Sequence, residues 1–226
     1  MRQLLRILVT IRRTPSGVLL AVQLAGVLLY PFIEDTGYSV IGLNLFGLVM
    51  LLITLNMVRK TPANAWVSAI IGAMVIALVV LQVEFGMEHL LAWSSGLEAA
   101  YYFYAAYSLI CYMMADNRTT VDEMYAAAGT FTLLVWAFTY LFVMTQALQP
   151  SAFGTPGEPM KSWFDLNHLS FALLTGTGMG QVVAVSSHAR ALASLEMLVG
   201  LAYLAGIVSR LIAFTVRDSD TRDKRR

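Results

Sequence analysis

Cysteine is almost absent: Cys111 is the only one in 226 residues. A disulfide framework and a cysteine-based zinc centre within one chain are thereby excluded. Charge is scarce as well. Asp, Glu, Lys and Arg make up 13% of the chain and hydrophobic residues 58%, whereas soluble domains carry about 25% charged and about 45–50% apolar residues. One core of this size cannot hide such an excess, because much of a small domain's surface faces water. An ordinary soluble enzyme and a disordered chain are both excluded. The formal net charge of +1 gives no general attraction to polyanions, so nucleic acid is not an expected partner. No nucleophile, base and acid stand in a recognisable set, and no phosphate loop follows a strand, so no enzymatic chemistry is expected. The nearest approach to a metal-ligand spacing is His89 with Glu84 and Glu88, which reads better as a solvated loop. The twelve methionines are scattered, as packing or lipid-facing residues are, and do not suggest copper ligands.

Long apolar runs are what the chain has instead. A helix needs about 20 apolar residues to cross the hydrocarbon. Six stretches qualify, at approximately 16–33, 38–58, 65–83, 91–114, 122–147 and 191–214. A seventh, at 163–175, is too short to cross and reads as a re-entrant or interfacial helix. The first stretch is followed at once by another and lacks a small-residue cleavage site, so it reads as a retained span and not a signal peptide. The expected fold is all-α and membrane-embedded, with six transmembrane helices and one half-helix. A cytoplasmic N-terminus places twelve of the fifteen Lys and Arg residues inside, leaving Arg210 near the inner end of the sixth span and Lys161 and Arg190 outside. This positive-inside bias fixes the orientation, with both termini cytoplasmic and too short to form a soluble domain. The loops after the first three spans are short, so neighbouring helices are antiparallel. The segment 149–162, with Pro150, Gly154, Pro156, Gly157 and Pro159, is an irregular extracellular connection.

The fourth span lacks the arginine at every third position that a voltage sensor needs. It carries Tyr101, Tyr102, Phe103, Tyr104, Tyr107 and Tyr112 instead, which suit helix packing and interfacial anchoring. Glu98 lies in this span. It is an ion or proton site, a partner for a polar group such as Asn44, or an interfacial residue if the span begins later. Asp122 and Glu123 stand where acidic residues favour a helix N-terminus.

The last unit begins Ser162-Trp163-Phe164-Asp165 and ends Thr175-Gly176-Thr177-Gly178-Met179-Gly180-Gln181. Ser162 followed by Asp165 is a helix start: a hydroxyl satisfies an orphan amide and a carboxylate suits the positive end. The helix runs about three turns and stops at the glycines. Irregular backbone inside a membrane is costly unless it lines a cavity or is buried in protein. Glycine accepts positive φ, so successive carbonyls can face one way, as a cation filter requires.

Residues 165–214 resemble the pore of the potassium-channel superfamily, in particular its small prokaryotic six-span members. The family pattern is a pore helix, a Thr-Thr-Val-Gly-Tyr-Gly-Asp filter and an inner helix. Thr175, Gly176, Thr177, Gly178, Met179, Gly180 and Gln181 occupy the filter positions. The run from Arg190 through Glu196, Gly200 and Tyr203 to Arg210 is similar to the inner helix, with Gly200 where a gating hinge often lies and Glu196 at a position that is acidic in similar channels. The resemblance implies a homotetramer in a bacterial inner or plasma membrane. Residues 1–118 would form a peripheral bundle without gating arginines, 119–216 the pore domain and 217–226 a charged cytoplasmic tail. The permeant ion would be a monovalent cation, K+ or Na+, with no cofactor; the protein's surroundings would be lipid, and no soluble partner is named. Three departures bear on selectivity. Gly176 has no hydroxyl for the innermost ion site, Met179 lacks the family tyrosine's bracing ring and hydroxyl, and Gln181 removes the acidic charge at the outer mouth. Cation preference with altered or relaxed K+/Na+ selectivity is expected. The rival readings are a non-conducting, channel-derived assembly protein and, further off, a secondary transporter using Glu98 and Glu196.

Overall fold

The computed structural model describes residues 14–34, 47, 49, 52–58, 64–85, 88–115, 120–155, 157–209 and 212. These include six α-helices, α1 (Pro15–Glu34), α2 (Ala65–Phe85), α3 (Leu91–Met114), α4 (Val121–Leu148), α5 (Trp163–Leu174) and α6 (Ser187–Tyr203). Residues 52–58 are also helical, 3-10 turns cover Glu88–Leu90 and Pro150–Phe153, and a π-helical turn, Leu204–Val208, continues α6. No strand occurs among the described residues. The helices coincide with the expected spans to within a few residues, except that α6 starts four residues before position 191. Ser186 explains the early start: its Oγ accepts from the Ala189 amide at 3.2 Å and its carbonyl from the Arg190 amide at 2.9 Å, so it caps the helix. Most of the expected span at 38–58 lies outside the described residues. Two described helices, Val121–Leu148 and Ser187–Ile207, are long and apolar enough to cross a membrane; Pro15–Tyr30 and Trp66–Gln82 are shorter apolar helices.

Threonines in the apolar α4 satisfy themselves locally. The hydroxyls of Thr130, Thr132, Thr139 and Thr145 donate to the carbonyls of Ala126, Ala128, Val135 and Leu141, each four residues back, at 2.7–3.2 Å. This pairing lets polar residues sit in a helix without an unmet donor. At its start, the Glu123 amide donates to Thr120 Oγ1 at 3.3 Å.

The chain forms two compact units. One comprises 1–65, 107–132 and 203–226 and the other 66–106 and 133–202. In the first, α1 lies along the beginning of α4. Asp122 Oδ1 accepts from the Ser16 amide at 3.0 Å, and Oδ2 accepts from the Ser16 hydroxyl at 2.9 Å and from Tyr112 Oη at 3.2 Å. Seven residues further along both helices, Gln23 Nε2 donates to the Gly129 carbonyl at 3.4 Å. The constant separation of 106 residues means that the two helices run in the same direction. Asp122 thus serves the positive end of α1 as well as its own helix. Tyr203 Oη donates to the Ala127 carbonyl at 2.6 Å, and its ring lies 5.9 Å from that of Phe131.

In the second unit, Phe142, Ala152, Phe153, Leu166, Leu169 and Ala189 form a buried cluster. It joins α4, the turn at Pro150–Phe153, α5 and the start of α6. Tyr102 of α3 stacks on Tyr140 of α4 at 5.6 Å, and Trp136 meets Trp163 edge-on at 5.7 Å. The fourth-span tyrosines at 101 and 102 are core residues, whereas Tyr107 is exposed.

Asp122→Ala removes three hydrogen bonds to a buried carboxylate and strands the α1 amide. Loss of about 2–3 kcal/mol of unfolding free energy is expected, since bonds to charged groups contribute about 1.5–3 kcal/mol. Thermal unfolding of the purified protein measures this, and an unchanged midpoint would remove Asp122 from the packing account.

Candidate functional site

The site is built from the second unit, starting at the loop that delivers α5. Gln146 of α4 anchors that loop through its side-chain amide. Its Nε2 donates to the Lys161 carbonyl at 3.0 Å and its Oε1 accepts from the Lys161 amide at 2.9 Å. Glu158 accepts from the Thr155 amide at 3.4 Å and pairs with Lys161 Nζ at 3.4 Å. Hydrogen bonds from Thr155, followed by the Lys161 ammonium, hold the Glu158 carboxyl below the usual carboxylate range.

Ser162 and Asp165 then start α5 with a reciprocal capping box. The Asp165 amide donates to Ser162 Oγ at 3.2 Å and the Ser162 amide to Asp165 Oδ2 at 3.1 Å. The expected helix start is therefore present, and the carboxylate has a second task at the N-cap amide.

At the other end the helix stops at Leu174 and the chain reverses handedness. Thr175 is right-handed (φ −78°, ψ −13°), whereas Gly176 and Gly178 take φ of +72° and +64°, values that L-residues with a Cβ avoid. Three amides fold back on the last carbonyls of α5. Thr175 N donates to Phe171 O at 3.0 Å, Gly176 N to Leu173 O at 3.0 Å and Gly178 N to Ala172 O at 3.1 Å. The helix end thus supplies the acceptors that hold the strip. The carbonyls of 175–181 receive no hydrogen bond from any described residue, and all seven residues are exposed. Downstream, the amides of Val185 and Ser186 donate to the Ala152 carbonyl at 2.8 and 3.3 Å, tying the segment after the strip to the Pro150–Phe153 turn. His168 Cδ2 is the nearest atom outside the strip to the position a Cβ on Gly180 would take, at 3.8 Å.

Glu196 and Gly200 meet α5 one helical turn apart. Ser170 Oγ contacts both Glu196 Oε1 and the Val135 carbonyl, the latter at 2.8 Å. Glu196 is completely buried, and its Oε2 has no hydrogen-bond partner among the described residues. Asn167 Nδ2 donates to Thr139 Oγ1 at 3.1 Å, and Thr139 donates to Val135 O at 2.8 Å. One polar cluster therefore joins α4, α5 and α6 through Val135, Thr139, Asn167, Ser170 and Glu196. Four residues along both helices, a Cβ on Gly200 would lie 2.1 Å from the Leu174 carbonyl oxygen. Only glycine permits that approach. Gly200 thus has a packing reason to be glycine, besides any hinge.

No hydrogen bond among the described residues joins Glu98 to this cluster. Its carboxylate is hydrogen-bonded to Tyr140, whose ring lies 6.2 Å from that of Trp163 at the start of α5. The suggested partner Asn44 lies outside the described residues. Reading 166–174 as simply apolar passed over Asn167 and Ser170, both buried. Their signal was present: Ser170 and Leu174 are spaced like Glu196 and Gly200, four apart, as facing pairs on two packed helices are.

Residues 128–217 match a family described as Ion channel. The match covers less than half of the chain and includes most of α4, all of α5, the 175–181 strip and α6. No curated protein and no solved structure matches the chain. The family match supports a protein of the ion-channel superfamily, and with the two long apolar helices it supports a membrane protein.

Two measurements bear on this geometry. Gly200→Ala drives a methyl into the Leu174 backbone, and overpacking of this kind costs about 1–3 kcal/mol; a clear fall in thermal midpoint is expected, and an unchanged one would contradict the close approach. Glu158 is stabilising in its ionised form, because its folded-state affinity for a proton is the lower one. The contribution is present above the unfolded carboxyl's range and is lost as pH falls through the folded value. Acidification should therefore speed exchange of the Thr155 amide proton beyond the intrinsic pH trend, and Glu158→Gln should do the same at neutral pH.

Proposed function

We propose that four copies of this chain assemble into a cation channel in a bacterial inner or plasma membrane. The observation that carries the reading lies in the 175–181 backbone: amides of Thr175, Gly176 and Gly178 turn to the end of α5, and the run of carbonyls has no donor among the described residues. Such oxygens need a cation or water, and one chain's strip cannot surround an ion, so the ring is closed by symmetry. Ions shed water into the carbonyls of Gly176, Thr177, Gly178 and Met179, with Gly180 and Gln181 at the mouth. The sequence supports six spans with both termini cytoplasmic, a peripheral bundle over 1–118 without gating arginines, a pore domain over 119–216 and a charged tail over 217–226. Lipid surrounds the assembly, and conduction is passive, with no enzymatic step and no cofactor.

The permeant species is a monovalent cation, K+ or Na+, with relaxed discrimination between them. Gly176 offers no hydroxyl, Met179 is 72% exposed and so braces nothing in its own chain, and Gln181 brings no charge. At the inner helix, Glu196 holds α5 through Ser170, and bending near Gly200 opens the inner end.

Single-channel recording of reconstituted protein in mixed monovalent cations tests the proposal. Cation currents without anion currents are expected. Gly178→Ala places a Cβ at a positive φ, at a cost of about 1–2 kcal/mol, and should reduce the unit current severely. Anion flux without cation flux would refute the reading, and a tetramer passing no current would leave the chain as a non-conducting assembly protein.

A further inference from the structure

Thr177 stands between the two glycines of positive φ, where the resembling channels have valine. Its hydroxyl is engaged. Thr177 Oγ1 lies 3.1 Å from Thr175 Oγ1 and 3.4 Å from the Ala172 carbonyl oxygen. Thr175 Oγ1 in turn lies 2.7 Å from the Phe171 carbonyl oxygen and 3.4 Å from that of Ala172. A hydroxyl has one proton and two lone pairs. The shortest contact takes the Thr175 proton to Phe171, which leaves the Thr175 oxygen free to accept. The Thr177 proton then goes to Thr175, the closer of its two acceptors. Two hydroxyls in series thus run from the middle of the strip to the same helix end that receives the amides of Thr175, Gly176 and Gly178.

The position gives this relay its consequence. The peptide groups on either side of Thr177 adjoin glycines, which have no side chain to restrain them. Further out, Met179 has neither the rigidity nor the donor to hold the strip from behind. The inner half of the strip is therefore the half with a side-chain tie, and Thr177 is its outermost point.

We infer that Thr177 is a positioning residue for ion discrimination: through Thr175 its hydroxyl fixes the spacing of the neighbouring carbonyls and so limits the size of the cation admitted. The inference rests on the channel reading, and goes beyond it by naming the side chain that sets selectivity and the route by which it acts. Valine at 177 keeps the branched shape and removes the hydroxyl; serine keeps the hydroxyl.

Bi-ionic reversal potentials of reconstituted wild type, Thr177→Val and Thr177→Ser, with K+ on one side and Cs+ or methylammonium on the other, test it. The permeability of the larger cations relative to K+ should rise at least threefold in Thr177→Val and stay within threefold of wild type in Thr177→Ser. A Thr177→Val ratio within threefold of wild type, or a Thr177→Ser ratio that follows Thr177→Val, overturns the inference and leaves the channel reading intact. A wild type that passes no cation overturns the channel reading itself. Backbone hydrogen exchange on the same preparations is the second measurement. The Gly176 and Gly178 amides should exchange at least tenfold faster in Thr177→Val than in wild type or Thr177→Ser, and equal rates overturn the inference whatever the currents show.

Discussion

A backbone amide or carbonyl must find a partner in protein, water or an ion, and between Leu174 and Val182 the described residues supply partners to three amides and to none of the carbonyls of 175–181. Three amides close on the carbonyls of Phe171, Ala172 and Leu173, so the helix end and the strip satisfy each other. The opposite groups, the strip's own carbonyls, have no donor among the described residues. Secondary structure ordinarily pairs both halves of the backbone. Here the reversal of handedness at Gly176 and Gly178 turns three amides to the helix end, and carbonyls without a described donor are the result.

Much of the second unit serves to hold α5 where it can do this. Gln146 and the Ser162–Asp165 box fix its start, and the cluster around Phe142, Phe153, Leu166 and Leu169 packs its flank. Ser170 and Leu174 fix its end against α6, one by a polar contact with Glu196 and the other by a backbone approach at Gly200. The polar contact has a single hydroxyl touching a carboxyl group and a main-chain carbonyl together, so removing Ser170 leaves the buried Glu196 short of a partner. That kind of cluster specifies one arrangement of three helices more sharply than apolar packing does. The first unit shows the same economy: one carboxylate, Asp122, takes the amide and hydroxyl of Ser16 and the hydroxyl of Tyr112.

The helices were legible because length and hydropathy alone place them, and the start of α5 because Ser162 and Asp165 carry a local signature. The glycine strip was legible as a pattern: residues 176 and 178 take the positive φ that alternating glycines suggested. What the sequence did not disclose is which distant groups meet. Nothing local says that Glu98 finds Tyr140, that Asp122 finds Ser16, or that Gln146 pairs with the Lys161 backbone. Asn167 and Ser170 were hidden inside a run read as apolar, although a polar residue in such a run calls for a partner. Gly200 read as a hinge because it stands where the resembling channels often bend; the close approach of Leu174 that also demands glycine is visible only when α5 and α6 are packed together. Thr177 stands at the family's valine position, and the sequence does not say that its hydroxyl meets that of Thr175.

The central claim is that the 175–181 carbonyls of several copies face one axis and hold a cation there. Anomalous scattering from crystals of the membrane-embedded assembly grown with thallium(I) or rubidium tests this most directly. Discrete peaks on a four-fold axis, ringed by the carbonyl oxygens of Gly176, Thr177, Gly178 and Met179, are predicted. A lone protomer, or an assembly in which this strip faces lipid and no peak lies beside it, would contradict the account.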